Sequence, residues 1–154
     1  MSRPARILMI LGIAIAFIAI SLGVGRMLAA SGAERSQLEQ VIRAEAKGDS
    51  AGLAALLPAC GAGTACRAQV DEVIAKVGAP GQPLEILQID GGTGSGAGSA
   101  DGTARIAWHA GTRLPTVQCV KVHRSGDVIS GFGIQIVSVS QPIAREGTCE
   151  KQKI

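Results

Sequence analysis

The sequence predicts an α+β protein in which an N-terminal transmembrane helix precedes three helices packed on a four-stranded antiparallel sheet. Three observations support this fold class. Near its start the chain has about nineteen consecutive residues that carry no charge, at Ile7–Gly25. Apolar residues then recur at helical spacing as far as Val77, and beyond Gly78–Pro83 they recur at every second position. This change of period marks the passage from helices to strands.

The segment Ile7–Gly25 is predicted to span a lipid bilayer as a helix. At about 1.5 Å per residue, its length matches the roughly 30 Å of a bilayer's hydrocarbon core. Arg3 and Arg6 precede the segment, and Arg26 follows it. The positive-inside rule, together with the position of all the cysteines after this segment, favours a cytoplasmic N-terminus and an extracytoplasmic domain.

The alternative interpretation of this segment is a secretory signal that is removed. Small residues at Ser31–Ala33 allow cleavage before Glu34, which would release a secreted domain. The apolar run is longer than the usual 7–15 residues of a signal, and Arg26 separates it from the cleavage site. Both features favour an uncleaved single-pass anchor at the cell membrane, with the lipid bilayer as a partner through residues 7–25.

The chain is therefore expected to have three parts. Residues 1–33 form the cytoplasmic N-terminus, the anchor and a connector. Residues 34–141 form the extracytoplasmic α+β domain, which is long enough for one hydrophobic core. Residues 142–154 form a C-terminal tail.

The net charge of +3 belongs to the anchor and not to the domain. The three arginines before Glu34 carry this excess, because the 12 basic residues that follow are balanced by 12 acidic ones. The domain also has only two aromatic residues, Trp108 and Phe132. Nucleic-acid binding needs a basic stripe and stacking aromatic side chains, so no nucleic-acid partner is expected.

The four cysteines predict two disulfides, as is typical of an oxidising compartment. We expect Cys60 to pair with Cys66 across a Gly-rich turn, and Cys119 to pair with Cys149 and hold the tail on the third strand. Their spacing differs from the paired short spacings of zinc sites, so no metal is expected. No cofactor is expected either, because the Gly-rich stretch 91–102 precedes a strand, whereas dinucleotide-binding and phosphate loops precede a helix.

Local signals place the helices of the domain. Ser36–Glu39 matches a capping box, which predicts a helix start. Asp49 or Ser50 is suited to cap the next helix. The predicted helices are about Gln37–Lys47, a short one with Leu53, Leu56 and Leu57 on one face that ends before Pro58, and about Ala65–Val77.

Alternating apolar residues place the strands. Ser125–Asp127 is predicted to form the hairpin turn between the last two strands, and the stretch 91–102 a flexible loop between the first two. Ile106 and Trp108 share one strand face, which we expect to meet the helices. The predicted strands are Leu84–Asp90, Thr103–Ala110, Thr116–Arg124 and Val128–Ser140.

Three features together suggest a family. They are the helix face of Leu38, Val41 and Ile42, the break between helices at Lys47–Leu53, and the long strand that ends at Ile134–Val137. In this order of elements the chain resembles the nuclear-transport-factor-two-like superfamily, the cone-shaped α+β fold of ketosteroid isomerases and polyketide cyclases. The resemblance covers about residues 36–140 and includes no specific motif.

The resemblance implies a concave sheet around a pocket, and it does not imply catalysis. Trp108, Phe132, Gln118 and Gln135 are the candidates for lining that pocket. The family usually places a short hairpin before its third helix, whereas here the Cys60–Cys66 segment occupies that position.

The sequence favours a non-catalytic domain that binds an envelope protein or a small apolar ligand. The alternative is a pocket enzyme of the isomerase or cyclase type, which would need a carboxylate or histidine on the concave face. His109 and His123 are expected at the surface or at strand edges. No catalytic residues are nominated, because catalytic groups meet in space and not in sequence.

Overall fold

The computed structural model describes residues 3–61, 63–94, 98–127, 129–144 and 147–149. Within them, three α-helices and one 3₁₀ turn precede a four-stranded sheet, so the predicted α+β class is confirmed. The helices are α1 (Arg3–Lys47), α2 (Ser50–Leu56) and α3 (Thr64–Val77), with the 3₁₀ turn at Pro58–Gly61, and the strands are β1 (Leu84–Asp90), β2 (Ala100–Ala110), β3 (Thr116–Asp127) and β4 (Gly131–Val139).

Helix α1 joins the apolar segment to the first domain helix without a break. This corrects the predicted connector and capping box, because Ser31 and Ser36 both lie inside the helix. A helical glycine such as Gly32 costs only about 1 kcal/mol relative to alanine. Ala30 and Glu34 are buried against the domain, and their packing holds this part of the helix in place. Among the described residues, two separate α-helices, and not the three predicted, therefore follow the apolar helix.

The apolar part of α1 stands away from the domain. Its large apolar side chains from Ile7 to Val24 are more than half exposed. The helix is long and apolar enough to cross a bilayer, as predicted. In water such a surface would be strongly unfavourable, because each large apolar side chain gains about 1.5–3 kcal/mol when it leaves water.

A side-chain cap, a glycine and an apolar face account for the positions of the two short helices. The Asp49 carboxylate accepts a hydrogen bond from the Gly52 N–H at 2.8 Å, so Asp49, one of the two predicted candidates, caps α2. Gly48 connects α1 to this cap with a φ of 74°, a conformation that favours glycine. Helix α3 buries Val70, Val73 and Val77, which are spaced three or four residues apart.

The strands follow one another in the sheet in the order β1-β2-β3-β4, with every neighbouring pair antiparallel. Strand β1 has its predicted bounds, whereas β2 begins at Ala100, three residues earlier than predicted. Strand β3 continues to Asp127, which pairs with Gly131. The predicted turn at Ser125–Asp127 is therefore wrong, and the turn lies between Asp127 and Gly131. The predicted strand start at Val128 lies outside the described residues, and Ile129 belongs to the turn.

One face of the sheet packs against the helices and forms the core. Trp108 and Ile106 of β2 lie on this face and are almost fully buried, as their alternation predicts. The face of α1 that carries Leu38 packs into the same cluster. Other members of the core cluster are Val41, Ile42, Leu53, Val70, Val73, Val120, Val122 and Ile136.

The C-terminal tail covers part of the opposite face. The Ile143 N–H donates to the Val117 carbonyl at 2.8 Å, which extends the pairing of β3. Cys119 of β3 is bonded to Cys149, and their Cα atoms are 5.6 Å apart. The tail is therefore attached to the third strand, as predicted.

Candidate functional site

An apolar cleft opens between the two short helices and the end of strand β4. Its volume is about 230 Å³, and no charged side chain lines it. Three other surface depressions are bordered by charged side chains, among them Arg67, Arg35 and Arg113. The lining of the apolar cleft consists of Leu53, Leu57, Ala59, Ala65, Cys66, Gln69, Val70, Val73, Val137, Ser138 and Val139.

A β-bulge in β4 shapes one wall of this cleft. Lys121 pairs with Ser138 and Val122 pairs with Ile136, so Val137 is an extra residue without an opposite partner. Bulges turn a side chain away from the regular alternation of a strand and are frequent beside binding sites. Val137 lines the cleft and is 38% exposed, whereas Ile136 beside it lies in the core.

Polar groups are few around the cleft. The Gln69 side-chain amide donates to the Val139 carbonyl at 3.4 Å and links α3 to the end of β4. The Ser138 hydroxyl is buried and has no hydrogen-bond partner within the described part of the chain. An unpaired buried hydroxyl costs about 1–3 kcal/mol, so a polar group that reached it would gain a hydrogen bond.

A disulfide supports the other side of the cleft. Cys60 and Cys66 are bonded as predicted, with Cα atoms 5.0 Å apart. Cys60 is buried in the 3₁₀ turn, and Cys66 lies in the first turn of α3 and lines the cleft. The bond therefore fixes the start of α3 relative to the segment that leaves α2.

A second cluster lies in the core between α1 and the sheet. Gln118 is fully buried there and accepts a hydrogen bond from the Trp108 indole N–H at 3.2 Å. The Gln118 amide donates to the Glu45 carboxyl at 3.1 Å and to the Ser140 carbonyl at 3.3 Å. Gln118 thus connects β2, α1 and the chain segment after β4.

Glu45 supplies the carboxyl of this cluster, and it lies twenty positions beyond the apolar segment. Its carboxyl is fully buried, and the Oε2 atom has no hydrogen-bond partner among the described residues. Burial raises the pKa of Glu45 to about 8, and the hydrogen bond from Gln118 offsets part of that rise. A carboxyl with such a pKa can hold or release a proton near neutral pH.

The four predicted pocket-lining residues occupy different environments. Trp108 and Gln118 belong to the buried cluster, and Gln135 is exposed on the outer face of β4. Phe132 is half-buried, and the Arg124 guanidinium lies 5.2 Å from the centre of its ring. None of the four lines the cleft described above, so the structure does not bring them together in one site.

The sequence interpretation did not identify Glu45 or Val137. Glu45 lies seven positions after Leu38, on the same helix face as Val41 and Ile42, so an acid in an apolar stripe was a detectable signal. Val137 gave no such signal, because a bulge depends on how two strands pair.

The two histidines each lie beside an acidic side chain. His109 lies 3.2 Å from Glu85, and His123 lies 2.8 Å from Asp101. Both pairs lie at the surface or are half-buried. Among the residues that the structure describes, no group of three or more histidine, cysteine or acidic side chains is arranged to hold a metal ion.

No protein-family model, curated protein or solved structure matches the chain. The resemblance to the nuclear-transport-factor-two-like superfamily thus stays a prediction. The cleft and the buried cluster are the features of the described structure that could serve as a functional site.

Proposed function

We propose that this protein is a membrane-anchored, extracytoplasmic and non-catalytic domain that binds a segment of an envelope protein. The observation that carries the proposal is the uncharged cleft beside strand β4, with Val137 turned into its wall by the bulge. An apolar side chain of the partner would occupy this cleft. The anchor is the apolar part of α1, and the two disulfides support a location outside the cytoplasm.

The size and position of the cleft favour a protein segment over a free small molecule. About 230 Å³ is less than the roughly 300–1,000 Å³ of typical small-molecule sites. Strand β4 is also an edge strand, so within the described part of the chain one side of its backbone is not paired with another strand. An extended peptide can pair with such an edge while one of its side chains enters a neighbouring pocket.

Photo-cross-linking in native membranes tests the proposal. A photoreactive amino acid at Val137 is expected to form an adduct with an envelope protein, identified by mass spectrometry. The same amino acid at Leu87, which is 48% exposed on the other edge strand, is the matched control and should not form this adduct.

Filling the cleft provides the second part of this test. Ala65 is exposed and lines the cleft, whereas Ala68 is exposed on the same helix and does not line it. Ala65→Trp is expected to reduce the Val137 adduct, and Ala68→Trp to leave it unchanged. An adduct with a small apolar molecule alone would support the ligand alternative, and equal adducts at Val137 and Leu87 would contradict the proposal.

The buried Glu45 favours a second candidate, a pocket enzyme of the isomerase or cyclase type. Its carboxyl has the unpaired oxygen and the raised pKa that a general acid or base needs. Such an enzyme would also need a path to Glu45, which lines none of the four surface depressions. Modification of Glu45 by a carbodiimide and an amine in the folded protein would support this candidate, and protection until unfolding would contradict it.

A further inference from the structure

One end of the sheet lies beside the part of α1 that follows the apolar segment. The Glu34 carboxylate accepts hydrogen bonds from the Gly92 N–H, at 2.6 Å, and from the Thr93 hydroxyl in the loop between β1 and β2. Arg26 donates a hydrogen bond to the carbonyl of Ile129 in the turn between β3 and β4. The loop and the turn are therefore held at the membrane-facing end of the domain.

The opposite end of the sheet lies near the C-terminal end of α1. There the Ala79 N–H donates to the Ala46 carbonyl at 3.0 Å, and the Arg113 guanidinium donates to the Gly78 carbonyl at 2.8 Å. Arg113 belongs to the turn between β2 and β3, as does Leu114, which is 84% exposed. Among the described residues, each end of the sheet thus carries an exposed apolar side chain in a turn.

Ile129 is the exposed apolar residue at the membrane-facing end. Its side chain is 87% exposed, and its carbonyl is bonded to Arg26, the first residue after the apolar run. With residues 7–25 in the bilayer, the hydrocarbon core would end close to Arg26. Leu28, which is 69% exposed, lies only about 3 Å further along the helix axis.

Two hydrogen bonds to Asp127 shape the described part of the turn that carries Ile129. The Asp127 carboxylate accepts hydrogen bonds from the Ile129 N–H at 2.6 Å and from the Ser130 N–H at 2.8 Å. Gly126 and Gly131 flank the turn, each with a φ of 92°, which allows the chain to reverse there. The Ile129 backbone is thus bonded to Asp127 while its side chain points outward, which limits the conformational freedom that this residue would lose on contact with another phase.

We infer that Ile129 inserts into the interface of the bilayer that holds the anchor, so that the domain rests on the membrane through both α1 and this turn. The inference rests on the proposed anchoring of residues 7–25. Apolar groups of interfacial segments enter the headgroup and acyl boundary to a depth of about 5–10 Å. Because α1 holds the turn beside the membrane, the turn does not have to reach the bilayer by diffusion before it inserts.

This contact would also fix the direction in which the cleft faces. Strand β4 runs from Gly131 at the membrane-facing end to Val137 in the cleft wall, six residues further along. At about 3.3 Å per residue, this distance is roughly 20 Å. The docked domain would hold the cleft well outside the lipid, where an envelope protein can reach it.

Depth-dependent fluorescence quenching of the full chain tests the inference. All four natural cysteines are in disulfides, so a single introduced cysteine can be labelled with an environment-sensitive dye. The variants are Ile129→Cys, Leu114→Cys at the opposite end of the sheet, and Phe17→Cys within the apolar segment. Each is reconstituted in phosphatidylcholine vesicles that contain a lipid with a spin label near its headgroup or deep in its acyl chain. Unchanged Trp108 emission before labelling shows that each variant is folded.

The expected result is that the dye at position 129 loses emission with the shallow quencher, the dye at position 17 loses emission with the deep quencher, and the dye at position 114 is unaffected by either. If position 17 is quenched and position 129 behaves as position 114 does, the anchor is real and the inference is wrong. If position 17 is not quenched, the anchoring fails and the inference fails with it. Equal quenching at positions 129 and 114 would also overturn it, because the contact would then not be specific to this turn.

Discussion

At the scale of single residues, Glu45 shows how burial converts an acid into a pH-dependent element of stability. Burial raises its pKa from the ordinary 4.5 to about 8, so the folded protein holds a proton that the unfolded chain releases between these values. The free energy of unfolding therefore falls as the pH rises from about 4.5 to about 8. Below about pH 4.5 the Glu45 carboxyl is neutral in both the folded and the unfolded protein, so it no longer makes the free energy of unfolding depend on pH.

We predict that Glu45→Gln removes this dependence on pH. The amide has the shape of the neutral carboxyl and still accepts from Gln118, so the variant should match the wild type at pH 4, where the carboxyl is mostly neutral in both states. At pH 8.5 it should be more stable by an amount on the order of 4 kcal/mol, since one pKa unit corresponds to about 1.4 kcal/mol. Urea unfolding in detergent, followed by the emission of the buried Trp108, measures the difference.

The matched control for this prediction is Glu72→Gln on α3. The Glu72 side chain is 59% exposed and pairs with Lys76 at the surface, where such pairs contribute about 0–1 kcal/mol. Its substitution should leave the pH dependence of the wild type unchanged. A Glu45→Gln variant with the same dependence would show that Glu45 is charged in the folded protein.

At the scale of elements, the two disulfides close loops of very different length. Cys60 and Cys66 are separated by 6 positions, and Cys119 and Cys149 by 30. In the chain-entropy model a longer loop restricts the unfolded chain more, which gives about 2 kcal/mol for the first bond and about 3–4 kcal/mol for the second. The longer bond also holds the tail over the outer face of β3.

We predict that the double variant Cys119→Ala and Cys149→Ala loses more stability than Cys60→Ala with Cys66→Ala, by about 1–2 kcal/mol. Urea unfolding of both variants at one pH makes the comparison. A larger loss for the Cys60–Cys66 variant would show that fixing the start of α3 matters more than loop length. Alkylation of the unfolded, unreduced wild type should add no mass, because all four cysteines are paired.

The elements also show what local sequence signals can predict. Alternation predicted the bounds of β1, and capping chemistry narrowed the cap of α2 to Asp49 or Ser50, because both signals depend on residues within one segment. Local signals did not predict the continuous helix through Ser31–Ala33, because Ala30 and Glu34 are held by contacts with distant parts of the chain. The same limit applies to the cleft, because the bulge at Val137 arises from the pairing of two strands.

At the scale of the whole molecule, α1 makes one rigid connection between the apolar segment and the domain. Arg26 and Glu34 bond to opposite corners of one sheet end, and the helix between them has no break. Any motion of the apolar segment is therefore transmitted to the sheet. A flexible linker would instead allow the domain to face in any direction.

We predict from this continuity that the mature protein retains residues 1–33. Cleavage before Glu34 would cut inside a helix and would remove Ala30, which is buried in the domain interface. The intact mass of the protein purified from membranes should therefore include the whole apolar segment.

The protein should also stay in the membrane pellet at alkaline pH and dissolve only with detergent, because more than half of each large apolar side chain from Ile7 to Val24 is exposed. A mature N-terminus at Glu34, or release of the domain at alkaline pH, would identify the segment as a signal. Protease added outside intact cells should digest the domain, whereas complete protection of the domain would reverse the proposed orientation.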